Sequence, residues 1–159
     1  MKKYEFTGET KEIRLLFRTA TLHRIRATVA FGIVEVGDLG GWIEKEENLS
    51  HEGKAWVCGD AEVWGNAEVC GDAKVFSASH VLVIGAIGSR NDFTTFYRDK
   101  DNEITVKCGC FLGKIDRFLE KVTQTHGDSK YALVYRAAVE VAKLQIDLSG
   151  EAPKDADEE

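Results

Sequence analysis

The chain has 159 residues, is 43% hydrophobic, and carries a net charge of −6 from 21 basic and 27 acidic side chains. That length suits one compact domain with two packed subregions, and a mildly acidic body argues against non-specific nucleic-acid binding, which needs a basic surface. No apolar run approaches the ~20 residues of a membrane-spanning helix, and the start MKKYEFTGETKEI lacks the apolar centre of a signal peptide.

The N-terminal third reads as strands. KEIRLLF and TLHRIRATVAF are rich in β-branched and aromatic residues, and Arg18, Thr19 and Ala20 separate them, so a hairpin is predicted. Leu22, Arg24 and Arg26 share one face of the second strand, with His23, Ile25, Ala27 and Val29 on the other. In VGDLGGWIEKEENLS, Gly37, Gly40 and Gly41 permit tight turns and Trp42 and Ile43 form an apolar plug. Residues 1–52 read as an N-terminal β cap, with Glu44, Glu46, Glu47 and Glu52 as a solvated charge cluster.

Residues 53–76 repeat one six-residue phrase four times: GKAWVC, GDAEVW, GNAEVC, GDAKVF. Ala and Val lie two apart and so share a strand face, while the residue between them points away. That outward slot holds Trp56, Glu62, Glu68 and Lys74. Gly followed by Asp or Asn is turn chemistry, so each unit reads as a very short strand and a corner. Such a unit must stack on neighbours to bury its Val.

Past the repeats, residues 81–87 form a continuous apolar run and predict a buried strand, followed by strands at 93–98 and 103–108. Ile115, Phe118, Leu119 and Val122 make a helical stripe over 114–125, stopped by His126 and Gly127. A second helix is predicted over 129–147, capped by Asp128 or Ser129. Three strands and two helices over 83–148 thus make an α+β C-terminal cap. The tail from 149 to 159 holds five acids, one Lys, Pro153 and no apolar run, which predicts disorder.

The hexads resemble those of hexapeptide-repeat, left-handed β-helix proteins, and Ser77 to Leu82 reads as a fifth copy. The resemblance implies a mainly β fold: a short left-handed β-helix over 53–82, about five hexads long, with the α+β cap at its end. It also implies a homo-oligomer, with a trimer favoured. Acyltransferases of that kind use a His base and acyl-coenzyme A. Here His80 falls in an outward slot, His51 precedes the first hexad, and fewer than two full coils leave little room for the cofactor. The phrases LHRIRAT, GDLGGWIEKEENLS, VIGAIGSRNDFTTFY, CGCFLG and THGDSKYA further resemble a group of small accessory proteins of bacteriophages and prophages. In that group the hexad number varies and the two ends are retained. This resemblance implies a protein acting in the cytoplasm of a bacterial host, on a host protein or on a nucleotide-derived defence signal.

Candidate chemistry concentrates after the hexads. Arg90 supplies a planar fork suited to phosphate or carboxylate, and Ser89, Asn91, Thr94 and Thr95 supply hydroxyls and an amide. Thr95 and Tyr97 share a strand face, so these six residues are the expected ligand-binding set. His126, beside Gly127 and Asp128, is the weak catalytic candidate, against an ordinary helix stop. Trp56 and Trp64 read as exposed interface aromatics. Cys58, Cys70, Cys108 and Cys110 fit no four-ligand set and are expected as free thiols, with no metal and no cofactor. The function expected is non-enzymatic binding of a small anionic ligand, a nucleotide-derived defence signal held at an oligomer interface. The alternatives are an inhibitor that binds a host protein through the hexad face, and a reduced hexapeptide-type transferase.

Overall fold

A computed structural model describes residues 2–149, so the expectation of a disordered tail beyond Ser149 lies outside the described residues. Strands β1 (Tyr4–Arg14) and β2 (Thr19–Ala27) pair antiparallel as the predicted hairpin, from Tyr4 against Ala27 to Arg14 against Thr19. β1 begins earlier than its apolar pattern suggested, because Tyr4 is wholly buried. β3 (Leu39–Ile43) pairs antiparallel with β2, and on its other side in parallel with β5 (Glu62–Val63). β4 (Trp56–Val57) pairs in parallel with β6 (Lys74–Val75) as a two-stranded sheet. A second four-stranded sheet, wholly antiparallel, is built from β7 (Val81–Ile87), β8 (Asp92–Arg98), β9 (Ile104–Cys108) and β10 (Phe111–Lys114), in the order β10-β9-β8-β7. Helices α1 (Ile115–His126) and α2 (Lys130–Gln145) complete the chain. Neither is long and apolar enough to cross a membrane.

The expected left-handed β-helix is not what the hexads build. The molecule is mixed α+β, organised by antiparallel sheets, and the described residues show no solenoid. Each hexad contributes at most two residues of strand, too little to raise continuous parallel sheets of its own. The inward slots behave as the pattern required. Ala55, Val57, Ala61, Val63, Ala67, Val69, Ala73 and Val75 are all buried, packed with Tyr4, Ile25, Ile43 and Leu49. The outward slot does so only in part: Glu68 is exposed and Glu62 half-buried, but Trp56 and Lys74 are not. Trp56 is only 4% exposed, wedged edge-on against Phe31 and Tyr4 at ring separations of 5.3 and 6.5 Å. Lys74 is likewise buried, its ammonium donating to the carbonyl of Lys54.

A second core lies between the second sheet and the helices, from Phe96, Val106, Phe118, Val122, Tyr135, Val139, Ala142 and Ile146. Both helices follow their apolar periodicity and start and stop within two residues of expectation. β10 is the element that sequence pattern missed. Its four residues, with Gly113 among them, give no alternation to read, and only the tight Gly109-Cys110 turn folds them back onto β9.

Two polar residues tie the hexads to the N-terminal sheet. Asn48 is fully buried; its side-chain oxygen accepts from the Lys45 amide, and its nitrogen donates to the carbonyls of Gly65 (3.1 Å) and Ala67 (2.9 Å). Glu44, rather than standing free in solvent, accepts both arms of the Arg18 guanidinium at 2.6 and 3.0 Å and the Gly65 amide at 2.8 Å. Those hydrogen bonds, Arg18 foremost, pull its carboxyl down to about 2.

Asn48→Ala should destabilise the fold by about 2–3 kcal/mol in denaturant titration, because it strands the buried Ala67 carbonyl and leaves the part-buried Gly65 carbonyl and Lys45 amide without their partner. Stability should also depend on Glu44. Its folded value lies below the ordinary 4.5, so its contribution is complete above that pH and is lost as pH falls from about 4.5 towards 2. Thermal midpoints measured across that window should decline less steeply for Glu44→Gln than for the wild type.

Candidate functional site

The turn joining β7 to β8, the turn joining β9 to β10, and the facing sides of α1 and α2 enclose a pocket of about 280 Å³. Ser89 and Arg90 come from the first turn and Asp92 from the start of β8; Cys108 ends β9, Gly109 and Cys110 make the second turn, and Phe111 begins β10. α1 contributes Phe118, Lys121, Val122, Thr125 and His126, and α2 contributes Tyr135. Residues treated separately in the sequence, the Ser89–Arg90 segment and His126, therefore meet across one cavity.

Local chemistry explains the shape. At Gly88 the backbone is left-handed, φ 79°, and a Cβ there would strike the Tyr135 hydroxyl. Only glycine lets the β7–β8 turn lie directly on α2. At the second turn Gly109 takes φ 58°, and a Cβ would sit 3.5 Å from a guanidinium nitrogen of Arg90. The floor is aromatic. Phe118 meets Tyr135 edge-on at 5.7 Å and Phe111 at 5.4 Å, while His126 stacks on Tyr135 at 5.7 Å with the rings 27° apart.

Two cations, Arg90 and Lys121, and one carboxylate, Asp92, line this space, so it is net cationic although the whole chain is acidic. Burial, with the Cys108 thiol alongside, pushes the Tyr135 phenol up, so its hydroxyl remains a proton donor at neutral pH. Ser89 and His126 add further polar groups at the wall. Among the described residues no hydrogen bond joins His126 to Cys108 or Cys110, and the Cys108 thiol instead accepts from the Thr94 hydroxyl at 3.4 Å. The cavity offers donors and positive charge to a bound group rather than a nucleophile held by a base.

Of the six expected ligand residues, Ser89 and Arg90 line this pocket. Asn91 stands at the turn tip with φ 51°, exposed and outside the lining. The other three are buried in β8 and spent on packing. Thr94 faces the helices and bonds Cys108, whereas Thr95 faces the hexads and accepts from the Glu68 amide at 3.0 Å. Tyr97 also faces the hexads, 3.8 Å from the Cys70 sulfur, and reaches a separate cleft of about 660 Å³ with Asp72, Thr105 and Lys114. The shared face of Thr95 and Tyr97 was read rightly but belongs to the wrong side of the sheet. Sequence reasoning missed Lys121 and Tyr135, which read as ordinary solvated and core positions of two helices. The signal available was Lys121 at i+3 from Phe118 and i−4 from Thr125, on one face of α1.

The interface aromatics divide. Trp56 is core, and Trp64 is 38% exposed. All four cysteines are free; burial lifts Cys58 to about 11 and pushes Cys70 upward as well, so both pack as small apolar groups. Among the described residues no three His, Cys, Asp or Glu side chains gather to hold a metal ion.

Gly88→Ala should cost about 1–3 kcal/mol of stability by forcing Tyr135 off its place. Near-ultraviolet circular dichroism should lose part of its tyrosine signal while far-ultraviolet signal is kept. An unchanged near-ultraviolet spectrum would mean that the turn does not lie on α2.

No protein-family model matches the chain, and a search of curated proteins finds no similar sequence.

Proposed function

We propose that this chain is a binding protein for a small anionic ligand, held in the pocket between the two turns and the two helices. The observation that carries the reading is the convergence of Arg90 and Lys121 with His126, Ser89 and the Tyr135 hydroxyl on an aromatic-floored cavity of about 280 Å³. A planar guanidinium and an ammonium take phosphate or carboxylate oxygens by charge-assisted bonds. Phe111 and Phe118 supply apolar surface for a ring or chain attached to that group. The volume is at the small end of ligand sites and suits a mononucleotide-sized body rather than an extended cofactor.

The resemblance to phage accessory proteins supports a class of occupant. A nucleotide-derived signal of host defence has both the charge and the ring that such a cavity accepts, and retaining it without turnover would remove it from circulation. Binding of a host protein through Trp56 and Trp64 loses half its basis with Trp56 in the core.

A thermal-shift screen of inorganic phosphate, mononucleotides, cyclic nucleotides and sugar phosphates tests this. At least one nucleotide should raise the midpoint, and Arg90→Ala or Lys121→Ala should weaken its affinity about tenfold, the loss of one charge-assisted bond. Stabilisation that survives both substitutions would place the ligand elsewhere, and a panel that stabilises nothing would end the reading.

A further inference from the structure

The segment Cys108-Gly109-Cys110-Phe111 is a two-residue hairpin turn, since Phe111 is the register partner of Cys108. Gly109, at φ 58°, holds the first central position, where such a turn favours glycine. The glycine accounts for the turn, and nothing in the turn calls for a cysteine on either side of it. The four thiols divide by their surroundings. Cys58 and Cys70 pack against the hexad core as small apolar groups. Cys110 is exposed and belongs to neither core, and Cys108 is half-buried beside it.

Cys108 and Cys110 both line the pocket between the turns and the helices. The Thr94 hydroxyl donates to the Cys108 sulfur at 3.4 Å and so fixes it on the helix side of β9. Residues two apart are separated by about 7 Å in extended chain, and a turn brings them closer, into the roughly 4.4–6.8 Å between Cα atoms that a disulfide spans. A bond between the two sulfurs therefore asks for side-chain rotation within one turn. The charge around the pair is positive. Lys107 donates its ammonium to the Gly109 carbonyl, and a guanidinium nitrogen of Arg90 lies 3.5 Å from where a Cβ on Gly109 would sit. Lys121 stands in the same lining, with Asp92 as its single carboxylate.

We propose that Cys108 and Cys110 form a dithiol that exchanges with disulfides, and that its co-reactant is a small disulfide bearing carboxylates. Cys110, the exposed thiol, attacks first as its thiolate. Its sulfur bonds to one sulfur of the reagent, the reagent's S–S bond breaks, and the departing thiolate takes up the proton that Cys110 released. Cys108 then gives up its proton and attacks the Cys110 sulfur, which expels the second thiolate. The reagent gains two electrons and two protons and leaves as two thiols; the protein loses the same and carries a Cys108–Cys110 disulfide. The ring so closed is small, and strained or exposed disulfides are the labile ones, so two equivalents of a monothiol reopen it. Lys107, Arg90 and Lys121 set the preference for a carboxylate-bearing reagent. The exchange does not rest on nucleotide binding, because its products are read on the cysteines themselves.

Reduced full chain mixed with glutathione disulfide and followed by intact mass spectrometry should lose two hydrogens and retain no glutathione adduct. Proteolytic mapping should place the bond between Cys108 and Cys110, with Cys58 and Cys70 still reduced. Cys108→Ser should halt at a glutathione adduct on Cys110. At low ionic strength glutathione disulfide should react about fivefold faster than the cationic disulfide cystamine, each rate taken relative to that of the chain unfolded in urea. Arg90→Ala with Lys121→Ala should abolish that preference. The mapping and the reagent comparison use the wild type, so a variant that fails to fold does not shelter the proposal. A wild type that keeps the adduct without closing, a bond formed elsewhere or between chains, or equal relative rates for the two reagents would each overturn it. So would a folded Cys108→Ser protein that takes no adduct on Cys110, or a preference that survives the double substitution.

Discussion

β8 is the wall on which both cores are hung. Phe96 and Tyr97 are adjacent in sequence and both wholly buried, but they enter different cores, Phe96 with the helices and Tyr97 with the hexads. A strand buried on both faces has no solvent side to absorb error, because a slip of one residue would send Tyr97 into the helix core and Phe96 into the hexads. The register from Val81 opposite Tyr97 to Thr105 opposite Tyr97 is therefore fixed from both sides. Everything else takes its position from that strand: the hexads lean on its one face, the helices on its other, and the two turns that frame the pocket lie at one end of the sheet.

The polar anchoring near β8 follows the same logic. Asp99, just beyond the strand and fully buried, accepts the amides of Asp101 and Glu103, the Thr105 hydroxyl at 2.7 Å and the Lys114 ammonium at 3.1 Å. A buried carboxylate with that many donors sets the β8–β9 connection and holds the end of β10, where α1 begins. The placement of α1, and with it Lys121 and His126, is thus referred back to β8 through one side chain. Arg98 at the end of the strand does the corresponding service for the hexads, donating to the Lys74 carbonyl at 3.1 Å and stacking over Phe76.

Much of this was legible where a period could be read. Ala and Val at two-residue spacing identified the inward slots of every hexad, and Phe118 and Val122 or Tyr135 and Val139 identified the buried faces of the helices. What failed was inference from period to architecture. Repetition says that the units resemble one another, whereas a solenoid needs enough of them to carry their own parallel sheets, and these units yield strands of two residues. Trp56 and Lys74 failed for a related reason: a slot is outward only with respect to its own unit, and here Tyr4 and Phe31 cover Trp56 while the Lys74 ammonium is turned back onto the Lys54 carbonyl. The site was half legible. Arg90 and Ser89 announced themselves by residue type, but Thr95 and Tyr97 were separated from them by the alternation of β8, and Lys121 and Tyr135 by distance along the chain.

The pocket takes none of its lining from residues 53–76, which pack on the Tyr97 side of β8. The repetitive half and the pocket thus occupy opposite faces of one strand, and a substitution among the hexads reaches the ligand-lining residues only by moving β8 itself.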